Sequence, residues 1–223
     1  MRTLIVTPLA EEHHLLVQRL RDRGVDAEGQ AVGAIQAHAL PALDVMVAHG
    51  GHGKTQFGVQ TRYLLDTLPS VARVLCVGAA GGLARGIAVG DIVVAVVTHE
   101  HDYNLKFVQR PQPRFSGDPE IIEQFRALPQ PDGYDVHIGI VASGDEDIVE
   151  RERGGALHEQ TGALAVAWEG AGGARACALT GVPFVEVRGV TDSADHDAAA
   201  DFETNLALAM ANIADFLLPW LRN

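Results

Sequence analysis

From Pro183 to Asp192 the chain reads Pro-Phe-Val-Glu-Val-Arg-Gly-Val-Thr-Asp, and it then enters the polar turn Ser193-Ala194-Asp195-His196-Asp197. The β-branched, apolar run predicts a buried strand. In parallel α/β sheets ligands gather beyond the carboxyl ends of the strands. Asp192 therefore stands where a catalytic carboxylate is expected. Arg188 lies inside the apolar run and needs a partner there. Glu186 shares its face by the period of two, so a structural Arg188–Glu186 pair is one reading.

The rest of the chain alternates in the same style. Short strands are predicted over 3–7, 43–48, 73–77, 92–98, 136–142 and 163–166. Helical patterns are predicted over 11–21, 55–66, 119–128, 148–159, 168–179 and 202–221. That alternation points to an α/β fold with a largely parallel sheet. With 223 residues and 47% hydrophobic content, a single domain spanning 1–223 with one sizeable core is expected. Gly170, Gly172 and Gly173 make the 168–179 helix small-sided, suited to very close packing. Residues 102–117, with Pro111, Pro113 and Gly117, read as an irregular loop that carries Lys106, Arg110 and Arg114. Loops this long in a compact domain are usually functional or mobile.

Charge narrows the function classes. Seventeen basic against twenty-nine acidic residues give a net charge of −12, a surface that repels phosphate backbones, so no nucleic-acid partner is expected. Cys76 and Cys177 sit in apolar surroundings without a CxxC or disulfide pattern and fit a reducing cytosol. The N-terminus reads as a strand and not a signal peptide, and the apolar run 87–97 is broken by Gly90 and Asp91. A soluble, cytoplasmic protein with no membrane partner is the expectation.

Two compact motifs invite specific chemistry. Ala48-His49-Gly50-Gly51-His52-Gly53-Lys54-Thr55 lies between a strand and a helix like a phosphate-binding loop, with Ala48 where that motif calls for glycine. ATPase chemistry would also need a metal-holding acid at another strand end, and none presents itself. The alternative is a plain glycine turn lining another ligand. His99-Glu100-His101-Asp102 places two imidazoles on one face of a strand beside carboxylates, which suits zinc, although nothing fixes a third ligand. The alternative there is a polar strand end. A dispersed set, Glu12, Glu169, Arg188 and Asp192, completes the candidates. Glu11, Glu12 and Glu169 also fit first-turn carboxylates favoured by the helix dipole.

Six blocks in order resemble the nucleoside phosphorylase/nucleosidase superfamily, most closely the 5′-methylthioadenosine/S-adenosylhomocysteine nucleosidases, with futalosine hydrolases as near relatives. They are Pro8 to Glu12, Gly51 to Lys54, Gly78 to Leu83 with Val89 to Val93, Ser143 to Asp145, Trp168 to Ala171 and Val187 to Asp192. The resemblance implies a three-layer α/β/α sandwich around a mixed, partly closed sheet, usually a homodimer. It implies a small-molecule nucleoside substrate, cleavage of an N-ribosidic bond, and no metal or cofactor. Asp192 would be the general acid at purine N7, and Glu12 would position and deprotonate water. Glu169 would bind the ribose hydroxyls, Arg188 would support the set, and Ile148 would meet the base edge through its backbone. Leu9, Ala79, Gly81 and Trp168 would line the substrate site.

These residue types suit the chemistry. A purine anion leaves poorly unless protonated, and a desolvated carboxyl with a raised pKa can supply the proton. Nearby carboxylates stabilise the sugar cation. Phosphorolysis, the superfamily's other reaction, needs arginines around the glycine loops; Gly78 to Leu83 holds none, and Arg85 is the nearby candidate. Three departures bear on specificity: Ala79 replaces the relatives' hydroxyl residue, Trp168 their methionine beside the ribose, and Asp147 their aromatic against the base. Lys106, Arg110 and Arg114 could serve an acidic 5′ tail, as in futalosine-like substrates, or be a solvated loop. Two rivals stay open at this stage. One is a nucleoside-binding module that kept the pocket and lost catalysis. The other is a P-loop phosphohydrolase.

Overall fold

A computed structural model describes residues 2–108 and 110–223 of the chain. The first half holds β1 (Arg2–Thr7), α1 (Ala10–Asp22), β2 (Glu28–Val32), β3 (Ile35–Leu40), β4 (Val45–His49), α2 (Lys54–Thr67), β5 (Val71–Gly82) and β6 (Ile92–Glu100). The second holds β7 (Arg114–Ser116), α3 (Pro119–Arg126), β8 (Val136–Ser143), α4 (Arg151–Thr161), β9 (Ala163–Ala167), α5 (Gly170–Thr180), β10 (Phe184–Asp192) and α6 (Ala198–Leu221).

β5 is the strand that sets the architecture. Its first part runs parallel to β1 on one side and to β10 on the other. Its last two residues, Gly81 and Gly82, turn onto β9 in antiparallel register with Val166 and Ala165. β10 continues to β6, β6 to β8, and β8 to β9, so β5-β10-β6-β8-β9 closes on itself. The other side of β5 carries the open wing β1-β4-β3-β2. The sheet is mixed and partly closed, as the resemblance implies; the largely parallel sheet inferred from strand–helix alternation is not what forms. Antiparallel pairings are as many as parallel ones, because β2, β3, β7, β9 and β10 each contribute one or more.

The period of two sorts the core. Ile5, Val47, Leu75, Val77, Val185 and Val187 face α1, α3 and α6, while Leu4, Val6, Val74, Cys76 and Phe184 face α2 and α5. The closed part is filled by smaller side chains, among them Ala80, Ala95, Ala165 and Val190. α6 is by length and composition apolar enough to cross a bilayer. Its apolar residues are instead used in the core, where Leu206, Met210, Ile213 and Leu217 pack with β5, β10 and α1. Arg19 of α1 and Arg23 just after it both grip Asp215 of α6 at 2.6 Å.

Several boundaries differ from the sequence reading. β2 and β3 form a hairpin around Gly33, which has positive φ, in a stretch where exposed Gly, Gln and Ala residues give little alternation signal. β7 interrupts the irregular 102–117 stretch by pairing Thr98 with Phe115. The fourth helix starts at Arg151 and not at 148. Ile148 is buried against Leu157 and Ala194 from a loop, so its burial mimics a helical position. The last helix starts at Ala198, one turn before Phe202, because three alanines extend it.

The small-sided helix packs as its glycines suggest. α5 lies against α2 with Gly58 facing Gly172, and a Cβ on Gly58 would come 3.0 Å from the Gly172 carbonyl oxygen. A Cβ on Gly172 would drive into the Lys54 carbonyl. Gly172→Ala is therefore expected to cost about 2 kcal/mol by overpacking and to lower Tm by about 4–8 °C in a thermal melt.

Candidate active site

A cavity of about 450 Å³ opens where the C-terminal ends of β1, β5, β8, β9 and β10 converge. Leu9, Glu12, Ala79, Gly81, Ile148, Trp168, Glu169, Arg188 and Asp192 all line it, so the structure brings together the residues that the resemblance places at the substrate site.

Glu12 enters from the first turn of α1. Its Oε2 accepts the Leu9 N–H at 2.8 Å and its Oε1 accepts the Ala79 N–H at 2.7 Å, tying α1 to β5. The N-terminal carboxylate reading is thus half right. Glu12 caps its own helix and also crosses to a neighbouring strand, whereas Glu11 is exposed. Burial, reinforced by the charge of Glu169, pushes the Glu12 carboxyl up to about 7, with Arg188 and the two amides pulling the other way. Gly78 has no side chain because one would sit 2.7 Å from Glu12 Oε1 and 2.9 Å from Arg188 Nη1.

Arg188 is 1% exposed and satisfies both of its sequence readings. Nε donates to Glu186 Oε1 at 2.8 Å, and Thr98 Oγ1 donates to Glu186 Oε2 at 2.6 Å. The guanidinium then reaches into the site, with Nη2 on Glu169 Oε2 at 3.3 Å and Nη1 on the Ala79 carbonyl at 3.2 Å. Desolvation opposes its charge, but Glu186, Glu169 and Glu12 hold it firmly protonated.

Glu169 occupies the N-cap position of α5, yet its carboxylate does not cap that helix. Oε1 accepts the Gly53 N–H at 3.2 Å and lies 3.4 Å from His52 Nδ1. Next to it, Trp168 is half-buried and its ring stacks on His52 at 4.3 Å between centroids. Asp192 sits at the end of β10, with Oδ1 accepting the Ala194 N–H at 2.9 Å and Oδ2 accepting the Thr191 hydroxyl at 2.8 Å. Burial raises its pKa against those two hydrogen bonds, helped by the charges of Asp201 and Asp195. Gly81, paired with Asp192 across β5–β10, leaves room for the carboxylate, since a Cβ there would lie 2.8 Å from Oδ1. Among the described residues, the backbone of Ile148 makes no hydrogen bond within the protein.

The two compact motifs cancel each other. Lys54 Nζ is 2.5 Å and 2.6 Å from the carboxylate oxygens of Asp102 and 3.0 Å from Glu100 Oε1. The amides of Gly53 and Lys54, which a phosphate would need, point at Glu169 and Asp145. The turn is thus a glycine turn that lines the cavity through His52, and the P-loop reading fails. Glu100 and Asp102 are spent on Lys54 and Arg175, and His99 bonds Gln112 at 2.9 Å, so these residues do not converge on a metal. Lys106 and Arg110 line a separate cavity of about 560 Å³ with Arg175, and Arg114 contacts His99.

Sequence reasoning missed His52, Glu146, Thr191, Ala194 and Phe202 as lining residues. For His52 and Thr191 a signal existed, since both lie within the nominated blocks Gly51 to Lys54 and Val187 to Asp192. Phe202 and Ala194 are carried in by the start of α6 and the turn before it, which no local pattern reveals.

Known proteins resemble this chain throughout its length. A family model described as the phosphorylase superfamily matches residues 2–222. A 5′-methylthioadenosine/S-adenosylhomocysteine nucleosidase from an Exiguobacterium species is 31% identical, covering 98% of this chain and 96% of its own. An aminodeoxyfutalosine nucleosidase from Helicobacter pylori is 30% identical, covering 87% of each. Among solved structures, the S. pneumoniae 5′-methylthioadenosine/S-adenosylhomocysteine nucleosidase with the transition-state inhibitor MT-ImmA superposes with a TM-score of 0.86 at 28% identity, over 100% of this chain and 99% of that one. A sheet closed through β5, carboxylates gathered at its strand ends and a family match across essentially the whole chain lead to one conclusion: the chain belongs to the phosphorylase superfamily.

Proposed function

We propose that this protein is a purine nucleosidase that hydrolyses the N-ribosidic bond of 5′-modified adenosines of the methylthioadenosine and S-adenosylhomocysteine type. The observation that carries the reading is the pair of buried carboxyls with upward-shifted pKa, Glu12 and Asp192, lining one cavity. Two such groups fit a reaction in which one proton is given and another taken.

In this reading Asp192 donates its proton to purine N7 as the bond to C1′ breaks, and the electron pair of that bond leaves with the base. The sugar carries the positive charge, stabilised by Glu12 and Glu169. Water attacks C1′ while Glu12 takes its proton. Arg188 keeps Glu169 turned toward the ribose hydroxyls, and the unpaired backbone groups of Ile148 meet the base edge. Thr191 holds the Asp192 carboxyl in place.

Hydrolysis is favoured over phosphorolysis by the cavity's charge. Among the described residues its one lining guanidinium is Arg188, already committed to Glu186 and Glu169, which leaves none free for phosphate. Lys106, Arg110 and Arg114 lie elsewhere, which favours an uncharged or zwitterionic 5′ substituent over a carboxylate tail. The same reading makes the chain one catalytic domain acting as a homodimer in the cytoplasm. The buried free thiols of Cys76 and Cys177 suit a reducing compartment.

Chromatographic assay of free base from methylthioadenosine, S-adenosylhomocysteine, adenosine, inosine and futalosine, with and without phosphate, tests the proposal. Adenine release independent of phosphate is expected, and release only with phosphate would replace hydrolysis by phosphorolysis. Asp192→Asn should lower turnover at least about 10³-fold with the circular dichroism spectrum unchanged. Glu12→Gln should lose most activity as well.

Glu12 also imposes a pH signature on stability. Its folded pKa of about 7 lies above the ordinary carboxyl value, so the folded state holds this proton more tightly than the unfolded chain does. Its contribution costs nothing below the unfolded pKa. The folded state then loses stability as pH rises through the window up to about 7 and levels off above it. Denaturant melts of the ligand-free protein across that window should show the fall in wild type and its loss in Glu12→Gln.

A further inference from the structure

One member of the His99–Asp102 motif remains without a task. His101 has 1% of its side chain exposed, and neither ring nitrogen has a hydrogen-bond partner. Buried polar groups are rarely left so, because each such group forfeits its hydration without compensation. The imidazole is held in place from two sides. The backbone N–H of His101 donates to the Ser143 carbonyl at 3.0 Å, and the ring fills the space beside Gly144, where a Cβ would lie 2.5 Å from Nε2. The nearest carboxylate is Glu146, whose Oε2 is 3.7 Å from Nδ1, just beyond hydrogen-bond reach. Glu146 itself is held by Arg153 through two bonds of 2.7 Å, both side chains about one-third exposed.

Glu146 belongs to the connection between β8 and α4, which has no regular structure. With Asp147, Ile148 and Val149 it forms one wall of the cavity. A partly exposed ion pair is cheap to break, whereas a hydrogen bond from a buried imidazole to a carboxylate is worth more. We propose that His101 is a positioning residue for this wall: with a nucleoside in the cavity, Glu146 moves from Arg153 to the Nδ1–H of His101 and fixes residues 146–149 against the base. The structure as it stands is then the open form, with the receiving imidazole already in place and unpaired. Burial keeps the ring neutral against the attraction of Glu146 and Asp102, and Arg153 and Lys54 act in the same direction as burial, so the bond requires no protonation. Gly144 follows as the residue that leaves room for the ring. The inference rests on the nucleosidase reading in taking a nucleoside as the occupant.

The test compares wild type with His101→Leu, His101→Gln and Glu146→Gln, alone and with His101→Leu. His101→Leu removes both nitrogens at similar volume. It should fold with Tm equal to or above that of wild type, since an unpaired buried polar group is lost. Its KM for methylthioadenosine should rise about tenfold with kcat changed less than about threefold. His101→Gln, which restores an N–H donor, should recover most of the loss, and Glu146→Gln should add little in the His101→Leu background. Amide hydrogen exchange in residues 144–150 should slow when adenine binds to wild type and not when it binds to His101→Leu. A wild-type KM in His101→Leu would overturn the proposal, as would a KM loss that comes with a Tm fall and is not rescued by Gln. Wild-type protein that neither releases base from methylthioadenosine nor binds adenine would overturn the nucleosidase reading and this inference together. Normal wild-type turnover with unaltered His101→Leu kinetics would overturn this inference alone.

Discussion

The ion pair between Arg188 and Glu186, adjacent on one face of β10 and both sealed from water, is the constraint on which the site rests. A guanidinium buried this deeply must be fully engaged, and it is: two carboxylates, one carbonyl and the Cys76 sulfur surround it. Removing one partner of such a pair would cost about 3–5 kcal/mol, because the remaining charge would be stranded. Glu186 is held by Thr98 from β6, so the guanidinium is aimed by the closed part of the sheet and delivers its other face to Glu169. Without that cation, Glu12 and Glu169 would stand as two buried like charges. With it they share the cavity, and Glu12 is left poised near neutrality.

The backbone supplies the second condition, close approach. β5 is flanked along its length by β1, β10 and β9, and its glycines fall where a neighbour's functional group needs the space. Gly78 accommodates Glu12 and Arg188, and Gly81 accommodates Asp192. The same Gly81 and Gly82 turn the strand from the open wing into the closed sheet. One short glycine-rich segment therefore both shapes the fold and clears the site, which explains why the catalytic candidates come from α1, β9 and β10 yet meet over β5.

Charge neutralisation within the protein accounts for what the site is not. The glycine turn after β4 has the features of a phosphate cradle, but its amides face Glu169 and Asp145 and its lysine faces Glu100 and Asp102. The acidic strand end of β6 has the residues of a metal site, but that lysine and Arg175 consume it. Each motif supplies the counter-charge that disarms the other. The turn's remaining contribution is His52, stacked on Trp168 at the cavity wall.

What the sequence alone determined is the class of fold and the set of candidate residues for the site. Strand–helix alternation pointed to an α/β fold, and the ordered blocks resembling the superfamily implied the three-layer sandwich. Asp192, Glu12 and Glu169 were recognisable because each ends or follows a buried strand inside a distinctive block, and Arg188 because it is charged within a buried strand. Local patterns could not fix the closure of the sheet or its antiparallel pairings, since these depend on which strands meet. Nor could they find the β2–β3 hairpin, whose first strand is exposed over four of its five residues and carries no alternation. Only the tertiary structure showed that Arg188 pairs with Glu186 and also reaches Glu169 at the cavity. It alone gave Lys54 to Asp102 rather than to a ligand and placed His101 unpaired beneath the cavity wall. The physical reason is the same in each case: a side chain's chemistry is set by its residue type, but its partner, its burial and therefore its pKa are set by segments far away in the chain.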